Sequence, residues 1–368
     1  DLGEADVLRR GMSGKFRSRE EFQAVRRKFF DNCRERGHDA TLANMVWEQI
    51  ESFAGYAFAK GHSASYAVES YQSLYLKCYF PLEFMVAVLN NGGGFYDMEL
   101  YVHEAKMWGA TIHPPCINLS DHINVIYGRN IYLGLGNLRS LERPVIQRLL
   151  TERQLHGKFR DFDDFIDRVQ ISIEQLTILV RIDAFRCFGV PKKEVLWQAV
   201  FKARAHGGRR PQNLLFKPVH RNFKLPQLPS HPVENAYDQL ELLGFPLCGY
   251  YALMEGEPKS RLVYRDFPDC LGRKVLVYGS LVHTRLNTTS KGDSMRFTTM
   301  LDLEGNFFDC VHFPQAMEQT PVHGKGIYAC YGTVTEEFGH YSLEVLVTKK
   351  QSLKQDPRQA SGTRARIH

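Results

Sequence analysis

The sequence predicts an α+β chain in which the two kinds of structure are kept apart, helices first and a five-stranded β-barrel last. Three observations predict it. Apolar residues recur at helical spacing through the first 113 residues, five β-like runs fall between Lys274 and Lys349, and glycine- or proline-bearing turns separate these segments. At 368 residues, 43% hydrophobic and 24% charged, the chain is long enough for two or three domains with cores of their own.

No run of 18 apolar residues occurs and no charged-then-apolar leader opens the chain, so no membrane partner is expected and the expected location is cytoplasmic. The chain starts at Asp1 without a methionine, as a fragment would. Eight cysteines, at 33, 78, 116, 187, 248, 270, 310 and 330, stand singly with no C-x-x-C pair. That pattern argues against a zinc ribbon or a disulfide framework and for reduced thiols. The net charge is +6, and its distribution is uneven: Lys192–Lys224 holds nine Lys/Arg against one Glu, and Lys349–His368 six against one Asp. Basic segments between near-neutral domains imply a polyanionic partner, most often nucleic acid.

In order, Leu8-Arg9-Arg10-Gly11-Met12-Ser13-Gly14-Lys15 places adjacent arginines at a glycine-broken turn, which suits bidentate grip on a phosphate. Ser18-Arg19-Glu20-Glu21 is a capping box, predicting a helix from Arg19 to Arg36 with Phe22, Val25, Phe29 and Phe30 on its apolar face. Leu42, Met45, Val46, Ile50 and Phe53 predict a second, core-packing helix. The stretch Gly55–Pro81 comes next. It reads as a loop carrying Lys60 and His62, with Ser63 as N-cap of a helix Ala64–Tyr79 that Pro81 stops. Such a terminus, with its unpaired N–H groups and dipole, attracts phosphate. Short helices Leu82–Asn90 and Asp97–Trp108 then flank Asn90-Asn91-Gly92-Gly93-Gly94, the second ending at Gly109.

These motifs carry a resemblance. Ala5-Asp6-Val7-Leu8-Arg9-Arg10-x-Met12, Phe53-Ala54-Gly55-Tyr56-x-Phe58-x-Lys60-x-His62, Ser70-Tyr71-Gln72-x-Leu74 and Tyr79-Phe80-Pro81-Leu82-Glu83-Phe84-Met85 together resemble the fingers of the alpha subunit of bacterial DNA polymerase III, a C-family replicative polymerase. The resemblance implies an all-helical fingers region over 1–113. It assigns Arg9, Arg10 and Lys15 to the incoming deoxynucleotide triphosphate, and Lys60, His62 and Ser63 to the template-primer near the nascent base pair. Where the family commonly has Asn-Lys-Ser-His, this chain has Ala59-Lys60-Gly61-His62, so two polar groups are missing.

Over 114–190, Ile123–Tyr127 and Ile131–Leu133 flank Gly128-Arg129-Asn130 as a hairpin. Gly134-Leu135-Gly136-Asn137-Leu138 then opens a helical segment, Pro144–Arg153, with another at Ile173–Arg181. The resemblance implies a helix-hairpin-helix region here, whose hairpin N–H groups hold a DNA phosphate without reading sequence. Arg139–Arg143 stands where the family usually has a second glycine-rich turn. Asp161-Phe162-Asp163-Asp164-Phe165 is a packed helix start with solvated acids, not a catalytic pair.

Residues 191–260 read as a basic linker with a lead-in helix within Asn235–Tyr251. In it, Gln212-Asn213-Leu214-Leu215-Phe216 resembles a sliding-clamp binding peptide, implying Gln212 at a pocket rim and Leu215 and Phe216 inside it. Five runs, Lys274–His283, Met295–Asp302, Phe307–Phe313, Gly326–Glu336 and Tyr341–Lys349, with a helical piece at Pro314–Glu318 between the third and fourth, give an OB-fold barrel over 261–349. Tyr278, Arg285, Lys291, Arg296, Phe297 and Phe308 are its candidate single-strand DNA contacts. Residues 350–368 are expected to be a basic disordered tail.

No Asp-x-Asp in a strand context occurs, and the resemblance begins inside the fingers. No cofactor is therefore expected on this chain, and magnesium is expected in the missing palm of the same subunit. The chain reads as the C-terminal part of a DNA polymerase that binds DNA and clamp but does not extend a primer alone. The alternatives are a non-catalytic, clamp-tethered DNA-binding accessory and the same region of an error-prone relative.

Overall fold

A computed structural model of the chain describes residues 19–52, 60–205, 231–288, 293–319 and 322–360. The chain divides into two compact units, Asp1–Phe80 and Pro81–His368.

In the first unit, α1 (Arg19–Glu35) and α2 (Ala40–Ser52) meet through Trp47, whose ring lies 5.4 Å from Phe29 and 5.9 Å from Phe30. A contact between two helices covers only a narrow stripe. Ala43 and Trp47 are buried on it, whereas Leu42 and Met45, expected in the core, stand exposed. Helix α3 (Lys60–Tyr79) begins one turn earlier than expected. Ser63 is therefore inside its first turn and not at its N-cap, because nothing in Lys60–His62 excludes helical backbone and glycine is tolerated at a helix start.

The second unit opens with α4 (Pro81–Asn90) and α5 (Met98–Met107), which pack on a small sheet of β1 (Thr111–His113), β2 (Val125–Tyr127) and β3 (Asn130–Tyr132). The expected hairpin forms, with Ile126 opposite Ile131 and Gly128 at φ +60° in its turn. Strand β1, unforeseen in the sequence, adds to β3 in parallel. Residues 81–113 thus share their core with the sheet and helices that succeed them in the chain.

Helices α6 (Arg143–His156), α7 (Phe162–Arg168), α8 (Ile173–Arg181) and α9 (Lys192–Ala205) enclose Leu149, Phe165, Leu179 and Phe185, each buried. Phe185 stands edge-on to Phe162 at 5.1 Å and to Phe165 at 4.9 Å. Asp161 caps α7 by accepting from the Asp164 N–H, so this acidic run is a packed helix start as expected. Asp164 is not merely solvated, however, since it pairs with Arg168 at 3.1 Å. Residues from Lys192, expected in the linker, instead form α9, because Val195 and Ala199 complete the core beside α8. Helix α10 (Pro232–Leu242) brings Leu242, Leu243 and Phe245 into the same core.

The five expected strands form a closed barrel, β4 (Lys274–Thr288), β5 (Ser294–Leu301), β6 (Phe307–His312), β7 (Ile327–Glu337) and β8 (His340–Lys350), in the order β4-β5-β6-β8-β7. Helix α11 (Pro314–Gln319) lies between β6 and β7, and β6 pairs β8 in parallel to close the ring. The arrangement is that of an OB-fold. Val277, Met300, Phe308, Cys330 and Leu343 fill it. At Gly332 a Cβ would stand 2.2 Å from the Glu344 carbonyl oxygen, so only glycine lets β7 bulge against β8.

The segment after β8 departs from the expected disordered tail. Met254 and Leu353 form an antiparallel bridge, and α12 (Pro357–Ala360) ends the described chain. Arg358 holds it there, reaching Asp238 of α10 at 2.6 Å and Glu241 at 2.7 Å.

Candidate nucleic-acid interface

The glycine turn that opens α6 is tight because its donors are used within the protein. The Leu135 N–H donates to the Asp121 carbonyl at 2.8 Å and the Gly136 N–H to the His122 carbonyl at 2.9 Å. Gly134 N–H goes to the Asn124 side-chain oxygen at 3.0 Å, which also accepts from Asn137 at 2.7 Å. A Cβ on Gly134 would stand 2.4 Å from the His122 oxygen. The glycines thus serve close backbone approach, and these three N–H groups are not available to a phosphate, contrary to the expectation for this turn. Farther on, Ser140 sits at φ +65° and the Glu142 N–H is taken by the Gln175 side chain at 2.8 Å. What the α6 end offers a polyanion is the exposed Arg143, next to Pro144 in its first turn.

A second helix pair, α8–turn–α9, reverses through Asp183 at φ +62° and Gly189 at φ +70°. Lys192 and Lys193 open α9, where cations oppose the helix dipole, and both find carboxylates on α10: Lys192 with Asp238, and Lys193 with Glu234 at 2.9 Å. Asp238 is a hub. Its carboxylate also receives Arg181 at 2.7 Å and Arg358 at 2.6 Å and is almost wholly buried. Charge that the sequence suggested for a polyanion is here spent on fastening α8, α9, α10 and the last segment together.

On the barrel, register separates the candidates. Arg285 and Phe297 are direct cross-strand partners on β4 and β5, both facing out, and Phe297 in turn opposes Val311 on β6. They form one patch. Arg296 faces the other way and donates to the Val322 carbonyl at 2.6 Å. Neither Tyr278 nor Phe308 is a stacking platform, at 3% and 1% exposed: Phe308 points into the barrel, and Tyr278, on the opposite parity to Val277, is covered from outside by Met254 and Leu353. The Tyr278 hydroxyl accepts from the Lys259 N–H at 3.2 Å. The outer face also carries Asp309, bonded by Thr299 at 2.6 Å and paired with His340 at 3.2 Å, so it is not uniformly basic.

One aromatic escaped the sequence reading. Phe338, in the two-residue turn between β7 and β8, is fully exposed and sits at φ +52°, with Gly339 next at φ +82°. A bulky residue in left-handed backbone at a hairpin tip is costly, and such strain concentrates at functional positions. Phe-Gly where Asn-Gly is the favoured pair was the signal available in the sequence. The turn belongs to the loop that OB-folds use beside the strand face in binding nucleic acid.

Of the remaining expected residues, His62 and Ser63 lie exposed in the first turn of α3, and Lys60 is its first residue. Arg9, Arg10, Lys15, Gln212, Leu215, Phe216 and Lys291 lie outside the described residues. Among the described residues no group of three or more His, Cys, Asp or Glu is placed to hold a metal, and no helix is long and apolar enough to cross a membrane.

Within the second unit, the helical part meets the barrel around a cavity of about 410 Å³ lined in part by Phe95, His103, Lys106, Tyr250 and His283. Lys325 bridges the wall to Asp97 at 2.7 Å and Glu99 at 3.2 Å, and His103 bonds the Gly305 carbonyl at 2.8 Å. Burial pushes the Glu99 carboxyl up against the pull of Lys325, and burial pushes Lys106 down.

A helix-hairpin-helix motif family model matches residues 109–195, the span from the β1 start into α9. An error-prone DNA polymerase of Mycolicibacterium paratuberculosis is 30% identical over 325 residues, 82% of this chain and 27% of that protein. The DNA polymerase III subunit alpha of Campylobacter jejuni is 36% identical over 200 residues, 52% of this chain and 16% of its own length. The chain resembles a segment of the C-family DNA polymerases. A third relative, the DNA polymerase III subunit alpha of Staphylococcus epidermidis, is 28% identical over 90% of this chain and 31% of its own length. The chain spans less than a third of the length of each of these relatives, and over that span the C-family order of helix-hairpin-helix region then five-stranded barrel is what the fold contains.

Proposed function

We propose that this chain is the DNA-gripping part of a bacterial DNA-directed DNA polymerase, acting in DNA replication or in an error-prone relative of it. The observation that carries the reading is the succession of a matched helix-hairpin-helix motif and a closed OB barrel, in a chain similar over most of its length to polymerases of both names. The helix-hairpin-helix region tracks duplex backbone without reading bases, with Arg143 among its contacts. The barrel takes single-stranded template by stacking on Phe297 and Phe338 beside Arg285.

The remaining roles rest on the resemblance. Arg9, Arg10 and Lys15 meet the deoxynucleotide triphosphate, Lys60, His62 and Ser63 lie near the nascent pair, and Gln212, Leu215 and Phe216 dock the sliding clamp. Magnesium belongs to acidic residues of a palm preceding the fingers, where two ions would stabilise attacking and leaving oxygens. The chain alone is therefore expected to bind in the cytoplasm's replication machinery without catalysing extension. Two experiments test this. Gel filtration with a bacterial sliding clamp should give a complex that Gln212→Ala plus Phe216→Ala abolishes; an indifferent complex, or none, removes the clamp role. Primer extension with magnesium and all four deoxynucleotides should give no product, and any product would place an active site within this chain.

A further inference from the structure

Cys116 and Cys187, distant in sequence, are brought together by a seam of bonds between the segment after β1 and the turn joining α8 to α9. The Ile117 N–H donates to the Ala184 carbonyl at 3.1 Å, and the Arg186 guanidinium donates to the carbonyls of Pro114 at 2.6 Å and Pro115 at 2.8 Å. The Asn118 amide reaches the Cys187 sulfur at 3.6 Å. Residues on both sides of Cys116 and those just before Cys187 are thus tied across the seam, which sets the two thiols beside each other. Both are free, and they differ in access: Cys116 is 1% exposed and Cys187 faces solvent.

The hydrogen bond from Cys187, with help from the Asn118 and Leu119 N–H groups and Arg186, brings the Cys116 thiol down to about 6 against the opposing effect of burial. The same bond and burial push Cys187 up. The negative charge of the pair therefore rests on the buried Cys116, beside the exposed Cys187 whose proton it can accept.

We propose that Cys116 and Cys187 are a reversible oxidation site that peroxides convert to an intramolecular disulfide, stapling the two ends of the helix-hairpin-helix region. The Cys187 sulfur attacks the peroxide as its proton passes to the Cys116 thiolate; the O–O bond breaks, one oxygen is gained as sulfenic acid, and the hydroxide released takes that proton, leaving Cys116 a thiolate again. The Cys116 thiolate then attacks that sulfur. The S–S bond forms as the S–O bond breaks, a second hydroxide leaves, and the two thiol protons complete two waters, so the pair gives two electrons to one peroxide. Only Cys187 has to meet the oxidant; Cys116 reacts from inside.

The test is peroxide titration of the whole chain, alkylation of remaining thiols, trypsin digestion and mass spectrometry. Residues 107–129 hold Cys116 and residues 187–192 hold Cys187 in separate tryptic peptides. The expected product is these two peptides joined, two hydrogens lighter than their sum, formed at lower peroxide than any oxidation of the exposed Cys78 or Cys248. Dithiothreitol should return both peptides, and Cys187→Ser should remove the joined species. Free, alkylated Cys116 and Cys187 at peroxide levels that have already modified Cys78 or Cys248 would overturn the proposal, as would separate over-oxidation of Cys187.

Discussion

The barrel and helix α3 treat their aromatic residues in opposite ways. In and under the barrel Phe267, Phe308 and Tyr328 are at most 1% exposed, whereas on α3 Tyr66, Tyr71, Tyr75 and Tyr79 are all more than half exposed. A closed sheet gives each inward side chain a cavity built by the same few strands, so its core is settled within about a hundred residues of chain. On α3, Tyr71, Tyr75 and Tyr79 recur every fourth residue along one face, Tyr75 4.6 Å from Tyr79, and that face is exposed. The comparison teaches that apolar content alone says nothing of where burial comes from: the barrel supplies its own, and α3 presents rings to whatever it meets.

The sharpest way to break the contrast is Phe308→Ala, which removes a ring packed 5.8 Å from Phe267. A loss of about 3–5 kcal/mol is expected in denaturant unfolding of the barrel. Asp238→Ala should cost about 2–3 kcal/mol, because it strands Arg181, Lys192 and Arg358 around a buried site, and limited proteolysis should then cut within residues 351–360. His312 gives a pH test. It is buried beside the Thr298 hydroxyl at 3.0 Å, and burial, then the nearby Arg296 charge, brings it down to about 4. Above about 6.5 it is neutral in both folded and unfolded chains. Between there and about 4 only the unfolded chain takes up the proton, so stability falls as pH falls through that window, by roughly 3 kcal/mol in all. His312→Gln should flatten that part of the barrel's pH profile. At the small end, Tyr71→Ser should change stability by less than about 0.5 kcal/mol. A large loss there would mean that α3 buries its aromatics after all.

The strands were legible because a period of two survives any uncertainty in tertiary context, and the expected ends of all five differ from the observed ones mostly by one residue, β4 excepted. Which parity faces inward was not. Nothing local to Phe308 separates a core ring from a stacking platform, and Tyr278, which points out of the barrel, is covered by Met254 and Leu353, both remote along the chain. The glycines at 134 and 136 were legible as a tight turn, but their reason lies in the His122 carbonyl, which only folding brings near. The basic runs misled in a different way. Lys192, Lys193 and Arg358 look like solvent-facing charge in sequence because their acidic partners on α10 are remote along the chain.

The measurement closest to the central claim is fluorescence anisotropy of a labelled single-stranded oligonucleotide with the chain and with its Phe297→Ala, Phe338→Ala form, each titrated with salt. The account predicts salt-sensitive binding by the parent, weakened by roughly tenfold or more in the double variant with barrel stability little changed. Equal affinity in the two forms, or no salt-dependent binding by either, would contradict the claim that this barrel holds the strand.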